Sequence, residues 1–91
     1  MHKILFTFLF LLPLSVMAQK TILFEGLIEK DELYYYKDKP FTGKSIRKYE
    51  DGKKAQEAQW KKGKLHGLKR EWWKNGAMRE KMNFIAGYRH G

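Results

Sequence analysis

The sequence predicts an all-β chain in which tandem β-hairpins of 24-residue period form a single-layer antiparallel meander sheet, preceded by a signal peptide. Three observations predict it: glycines recur at a fixed interval, an Asp-Gly or Asn-Gly dipeptide falls at the same point of each interval, and aromatic residues keep step with both. Shifted by 24, the chain matches itself at Gly43, Gly67 and Gly91, at Gly52 and Gly76, at Gly63 and Gly87, and at His66 and His90. Tyr36, Trp60 and Phe84 share one register, Tyr49 and Trp73 another, and Phe41 matches Leu65. A period of about 20 to 50 residues marks stacked supersecondary units rather than one conventional core.

The elements follow in chain order. His2 and Lys3 precede an uncharged, mostly apolar run from Ile4 to Ala18 that ends Val16-Met17-Ala18. A basic start, an apolar centre and a small-residue cleavage site make a signal peptide over residues 1–18. A spanning helix needs about 20 apolar residues, and this run is shorter and contains Pro13. The reading places the chain outside the cytoplasm, periplasmic or secreted and associated with the envelope. Residues 19–91 then permit one small domain with a thin core. Cys is absent, so the usual disulfide staples of small exported domains are missing.

Within the N-terminal segment 19–30, the apolar stretch Thr21 to Ile28 reads as the strand that opens the sheet or as a cap over its first edge. A repeat domain over 31–91 follows. Its half unit, 32–42, reads as a strand and a turn at Lys37 to Pro40. Two full units span about 43–66 and 67–90.

Asp51-Gly52 and Asn75-Gly76 are the dipeptides that tolerate positive φ at both central positions of a type I′ hairpin turn. Lys62-Gly63-Lys64 and Ala86-Gly87-Tyr88 turn the chain into the next unit. With Asn75-Gly76 as a two-residue loop, Trp73 faces Met78, Glu71 faces Glu80, Lys69 faces Met82 and Gly67 faces Phe84, all on one side of the sheet. The same construction puts Tyr49, Ala58 and Trp60 on that side, with Gly43 opposite Trp60. A glycine across from a large ring leaves space for that ring to lie over the backbone. The Glu71–Glu80 pair sets like charges opposite each other, which destabilises, and implies a longer turn or a bulge that separates them. Met78 to Ile85 is the last complete strand of this register and so lies at an edge, open to self-association.

Helix formers fill Lys53 to Lys62 and Ala77 to Met82, and a strand-plus-helix unit of this period would be a leucine-rich-type repeat. That pattern needs recurrent leucines, and Leu65 and Leu68 are the only ones after position 43. The alternating set that ends at Trp60 and Phe84 recurs in both copies, which favours strands.

Charge is uneven. Residues 44–91 hold fourteen Lys and Arg against five acids, whereas residues 19–43 hold four against five. The basic half either protects exposed strand edges or attracts an anionic partner. Nucleic acid, the usual partner of such a patch, is disfavoured by export. No Cys, and Ser45 as the single Ser after the leader, leave little for nucleophilic catalysis. The reading assigns no enzyme activity, no cofactor and no metal. His66 and His90 sit at equivalent points two strands apart, roughly 9 to 10 Å, too far to share one zinc. Alternation sends Trp72 to the face opposite Trp73, beside Arg70, Ile46 and Lys48. Trp and Arg dominate interface hot spots, so these four form the candidate interaction surface.

The segments PFTGK, YEDGKK and WKKGKLHG, followed by WWKNG, resemble the bacterial MORN-repeat-variant proteins, among them members labelled antitoxin-like. The resemblance spans about residues 31–91. It implies tandem β-hairpins in an elongated sheet, with structural roles for Gly43, Tyr49, Gly52, Trp60, Gly63, Gly67, Trp73, Gly76, Phe84, Gly87 and Gly91, and it brings no catalytic residue. The function expected is a non-enzymatic module for protein–protein or cell-envelope interaction. The alternative is a binder of anionic membrane surface or cell-wall glycan.

Overall fold

The computed structural model describes residues 20–90. Residues 1–18, expected to be a signal peptide, Gln19 and the ladder position Gly91 lie outside the described residues. Among the described residues nine strands form: β1 (Thr21–Leu23), β2 (Ile28–Lys30), β3 (Leu33–Tyr36), β4 (Lys39–Pro40), β5 (Gly43–Lys48), β6 (Lys54–Lys61), β7 (Lys64–Trp72), β8 (Met78–Ile85) and β9 (Tyr88–His90). The described chain is all-β apart from one 3-10 turn at Phe24–Gly26. The helix formers of residues 54–61 and 78–85 are strands, because pairing on both sides and burial of alternate side chains outweigh local propensity.

The sheet differs from expectation in two ways. It is not one layer: strands β1-β5-β6-β7-β8-β9 form a six-stranded sheet, and β2-β3-β4 a separate three-stranded one. Residues 32–42 therefore do not extend the meander at its edge. Nor is the large sheet wholly antiparallel, since β1 lies parallel to β5, with Ile22 beside Ser45. The remaining strands from β5 to β9 do form an antiparallel meander. β8 is covered by β9, through Phe84 opposite Arg89 and Ile85 opposite Tyr88, so β9 and not Met78–Ile85 is the edge.

The turn chemistry is the reverse of the one the dipeptides suggest. Positive φ at both positions, the type I′ signature, occurs at Lys62-Gly63 (49° and 85°) and Ala86-Gly87 (48° and 91°), and also at Asp31-Glu32 and Lys37-Asp38. At Asp51-Gly52 and Asn75-Gly76 only the glycine has positive φ. There the loops have three residues, 50–52 and 74–76. The Tyr49 N–H donates to the Lys53 carbonyl (2.8 Å) and the Gly52 N–H to the Tyr49 carbonyl (2.9 Å); the Trp73–Ala77 and Gly76–Trp73 pairs repeat this at 2.9 Å each. The Asx side chain explains the choice. Asp51 Oδ1 accepts from the Lys53 N–H and Asn75 Oδ1 from the Ala77 N–H, each at 2.9 Å, which fixes the Asx residue in its turn and leaves the left-handed position to glycine.

Each longer loop is offset by a bulge. Arg47 pairs with Gln56 but Lys48 with Lys54, leaving Ala55 extra. Glu71 pairs with Glu80 but Trp72 with Met78, leaving Arg79 extra. The predicted pairs Gly67–Phe84, Lys69–Met82 and Glu71–Glu80 consequently hold, whereas Trp73 does not face Met78. The two glutamates stay opposite each other. Arg79 (3.5 Å) and Lys69 (3.8 Å) approach Glu71 and Arg89 (3.6 Å) approaches Glu80, while the Gln56 amide donates to Glu71 at 3.3 Å.

The core lies where the small sheet meets one face of the large one. Phe41, Ala58 and Trp60 are buried there, with Ile22, Phe24, Leu27, Tyr34, Tyr36 and Leu65 packed around them. Trp60 is 5 % exposed; its ring lies 4.7 Å from that of Tyr34 and its Nε1 donates to Ser45 Oγ at 2.8 Å. The small sheet hangs on the turn after β6. The Tyr34 N–H donates to the Gly63 carbonyl (2.9 Å), and a Cβ on Gly63 would meet the Tyr34 carbonyl at 3.1 Å. The atoms nearest to where a Cβ would stand on two ladder glycines are not those of the ring across from them. A Cβ on Gly43 would first meet the Lys20 carbonyl and the Phe41 ring, and one on Gly67 would first collide with the Gln59 amide.

Candidate functional site

The meander has two faces. The face carrying Trp60, Ala58, Lys69 and Met82 is covered at one end by the small sheet. Its recurring rings do not form an open stripe. Arg79 lies 4.9 Å over Trp73, Lys74 lies 6.0 Å from Tyr49 and Lys69 lies 6.0 Å from Phe84, while Tyr49 Oη donates to the Trp72 carbonyl at 2.6 Å. Trp73 remains 52 % exposed.

The opposite face bears the candidate surface. Pairing aligns Ile46 with Glu57, Glu57 with Arg70 and Arg70 with Lys81 across four strands. Lys48 pairs with Lys54, and Trp72 follows Arg70 two residues along β7 on the same face. The structure thus brings Trp72, Arg70, Ile46 and Lys48 to one side. Their centre, however, is a residue the sequence reading passes over: Glu57.

Glu57 is only 9 % exposed on an otherwise open face. Oε2 accepts from Lys54 Nζ (3.0 Å) and Lys44 Nζ (3.4 Å), and Oε1 from Arg70 Nη1 (3.3 Å). Burial pushes its carboxyl pKa up, but the hydrogen bonds and charges of Lys54 and Lys44 outweigh burial and hold it below the ordinary value. Lys54 also lies 5.9 Å from the Trp72 ring, so Trp72 is half-buried under a cation rather than standing free. Arg70 likewise is tied to Glu57. Only the pairing register could reveal this cluster, because its members are 3 to 13 residues apart in sequence.

A second feature escaped the sequence reading. A cleft of about 370 Å³ opens between the small sheet and the end of the large one. Phe24, Tyr34, Trp60 and Leu65 give it an apolar floor, and Arg47, Lys64 and Lys69 line it with positive charge. The signal was out of reach because Phe24 lies off the 24-residue ladder and Tyr34, in the half unit, belongs to the separate small sheet rather than to the meander.

The histidine of the ladder has a structural task. His66 Nδ1 accepts from the Ala86 N–H at 3.2 Å, and Thr42 Oγ1 accepts from the Lys62 N–H at 2.9 Å, 24 residues earlier in donor and acceptor alike. The Gly63 N–H to Phe41 carbonyl and Gly87 N–H to Leu65 carbonyl bonds, both 2.8 Å, repeat in the same way.

Comparison with family models, with curated proteins and with solved structures finds no match for this chain.

Proposed function

We propose that this chain is a non-enzymatic, exported β-repeat module of the MORN-repeat-variant kind that binds an acidic protein partner of the cell envelope through the face opposite Trp60. The repeat half of the proposal is supported by hydrogen bonds that recur 24 residues apart at both kinds of turn. Export is supported by the composition of residues 1–18.

One observation carries the binding half. Across its middle the face sets Lys44, Lys48, Lys54, Arg70 and Lys81 against a single carboxylate, Glu57, while the core shared with the small sheet lies on the other face. Glu57 holds three of these cations in place, so the surface is pre-ordered and remains net positive. Complementary charge steers encounter and selects partners, while Trp72 and Ile46 supply the apolar contact that hot spots need.

Immobilised wild-type protein should retain an acidic envelope protein that the Trp72→Ala and Lys48→Glu variants release, whereas Arg89→Glu on the other face retains it. Equal retention by all four would overturn the proposal. The flat, positive face also favours a second reading, adsorption to anionic lipid. Cosedimentation with phosphatidylglycerol vesicles that vanishes in 1 M salt, where the screening length falls to about 3 Å, would support that reading over a protein partner. Glycan stacking is the weaker reading, because cationic side chains lie over Trp72, Trp73, Tyr49 and Phe84.

A further inference from the structure

We propose that the cleft between the small sheet and the β7–β9 end of the large sheet binds a small organic anion carrying one planar aromatic ring system. The site is on the face opposite the proposed docking surface, so the two proposals fail separately.

Size, floor and charge each narrow the ligand. The cleft, about 370 Å³, falls within the range of roughly 300 to 1,000 Å³ typical of small-molecule sites. Trp60 is packed against Tyr34 and closed to a ligand ring, but Phe24, Tyr34 and Leu65 are half-buried and present apolar area at the mouth. A flat ring covers such a floor with little loss of its own freedom.

The charge lining is unbalanced. Glu32 is the one carboxylate among the lining residues, against Arg47, Lys64 and Lys69. Among the described residues Arg47 and Lys64 have no carboxylate within ion-pair distance, and the nearest partner of Lys69, Glu71, is 3.8 Å away. Every other arginine of the large sheet has such a partner: Arg70 at Glu57, Arg79 at Glu71 and Arg89 at Glu80. Arg47 is also held in place, its guanidinium 4.4 Å over the Phe24 ring. A stacked guanidinium keeps its edge N–H groups for a planar anion and loses little entropy on binding it. A carboxylate suits that fork geometry in a way that a lone lysine would not enforce. The ring then lies beside Tyr34 and Leu65, and Lys69 and Lys64 complete the neutralisation.

Indole-3-acetate joins both halves of the ligand, acetate carries the anion alone and 3-methylindole the ring alone. Titrated into nitrogen-15-labelled protein, indole-3-acetate should shift the Gly63, Lys64 and Gly87 amides and the Trp60 indole resonance. It should bind at least about tenfold more tightly than either half, because each half forgoes one of two separate contacts. Arg47→Gln should weaken it by at least about tenfold, and Lys48→Gln, on the other face, should leave it unchanged. If Arg47→Gln loses spectral dispersion, Lys64→Gln, an exposed position, replaces it with the same expected direction. Shifts confined to residues outside the cleft, equal binding of 3-methylindole, or unchanged affinity in both cleft variants would each overturn the proposal.

Discussion

The contact between Trp60 and Ser45 makes a sharp prediction. Both residues are buried, Ser45 at 1 % exposure, and the indole N–H donates to the hydroxyl at 2.8 Å. Trp60→Phe removes about 40 Å² of ring, worth about 1 kcal/mol, and strands the Ser45 hydroxyl for about 1 kcal/mol more. Ser45→Ala strands the indole N–H in turn, for about 1.5 kcal/mol. Removing both groups leaves no orphan, so the double variant should lose only about 1.5 kcal/mol and the coupling should be about 2 kcal/mol. A domain of this length has of order 4 to 11 kcal/mol in total, so every species stays folded enough to measure. Urea unfolding followed by circular dichroism gives the cycle, with Trp72 and Trp73 left as fluorescent reporters in the Phe variants. Additivity within about 0.5 kcal/mol would refute the reasoning: Trp60 would then hold the two sheets by packing alone.

Gly63 and Gly87 share positive φ and 24-residue spacing, but only Gly63 is pressed against Tyr34 and Leu33. Gly87→Ala should cost about 1 kcal/mol for backbone strain, and Gly63→Ala at least about 1 kcal/mol more for overpacking, read as a further drop in urea midpoint. Glu57 has a lowered native pKa, so the stability it confers is present above its unfolded value of 4.5 and is lost as pH falls below that through the native pKa. Glu57→Gln should flatten this acid limb and lower neutral-pH stability by about 1 to 2 kcal/mol; an unchanged pH profile by thermal melts would contradict it. His66→Thr should be tolerated, because Thr42 performs the same acceptor role one interval earlier, whereas His66→Ala should cost about 0.5 to 1 kcal/mol. Equal losses in the two His66 variants would refute an acceptor role.

Strand positions and most of the register were legible because backbone punctuation is local. Gly67 opposite Phe84 and Gly43 opposite Trp60 follow from counting outward from a turn, and the count survives even though the loop is one residue longer, since Ala55 and Arg79 bulge out to restore it. The turn types were not legible from the Asp-Gly and Asn-Gly dipeptides. A type I′ turn and an Asx-stabilised three-residue loop accept the same residues, and the hydrogen bond from Lys53 or Ala77 to the Asx oxygen decides between them. The small sheet was not legible either, because it pairs residues 28–30, off the 24-residue ladder, with 33–35 of the half unit expected to extend the meander. For the candidate surface, alternation sufficed to put Trp72, Arg70, Ile46 and Lys48 on one face. It could not show Glu57 at their centre, since that needs the lateral alignment of β5, β6 and β7.

Positions 24 residues apart share backbone geometry without sharing surroundings, and this difference decides which of them contribute to the core. Trp60 and Phe84 occupy equivalent places in β6 and β8, yet Trp60 is covered by Tyr34 of the small sheet and Phe84 by the ammonium end of Lys69. Ser45 and Lys69, 24 apart, face those two strands from β5 and β7: one accepts a buried hydrogen bond, the other extends over a ring. The ladder therefore fixes where the backbone runs, and the small sheet selects the unit that becomes a packed interior. A hairpin array of one layer has no second surface against which to bury its rings. The small sheet supplies that surface at one end, and long cationic side chains shield the rings elsewhere. The lysines and arginines that make the chain basic thus divide among the described residues: on the Trp60 face some lie over Phe84, Trp73 and Tyr49 while Arg47 and Lys64 line the cleft without an ion-pair partner, and on the other face Lys44, Lys54 and Arg70 gather round Glu57.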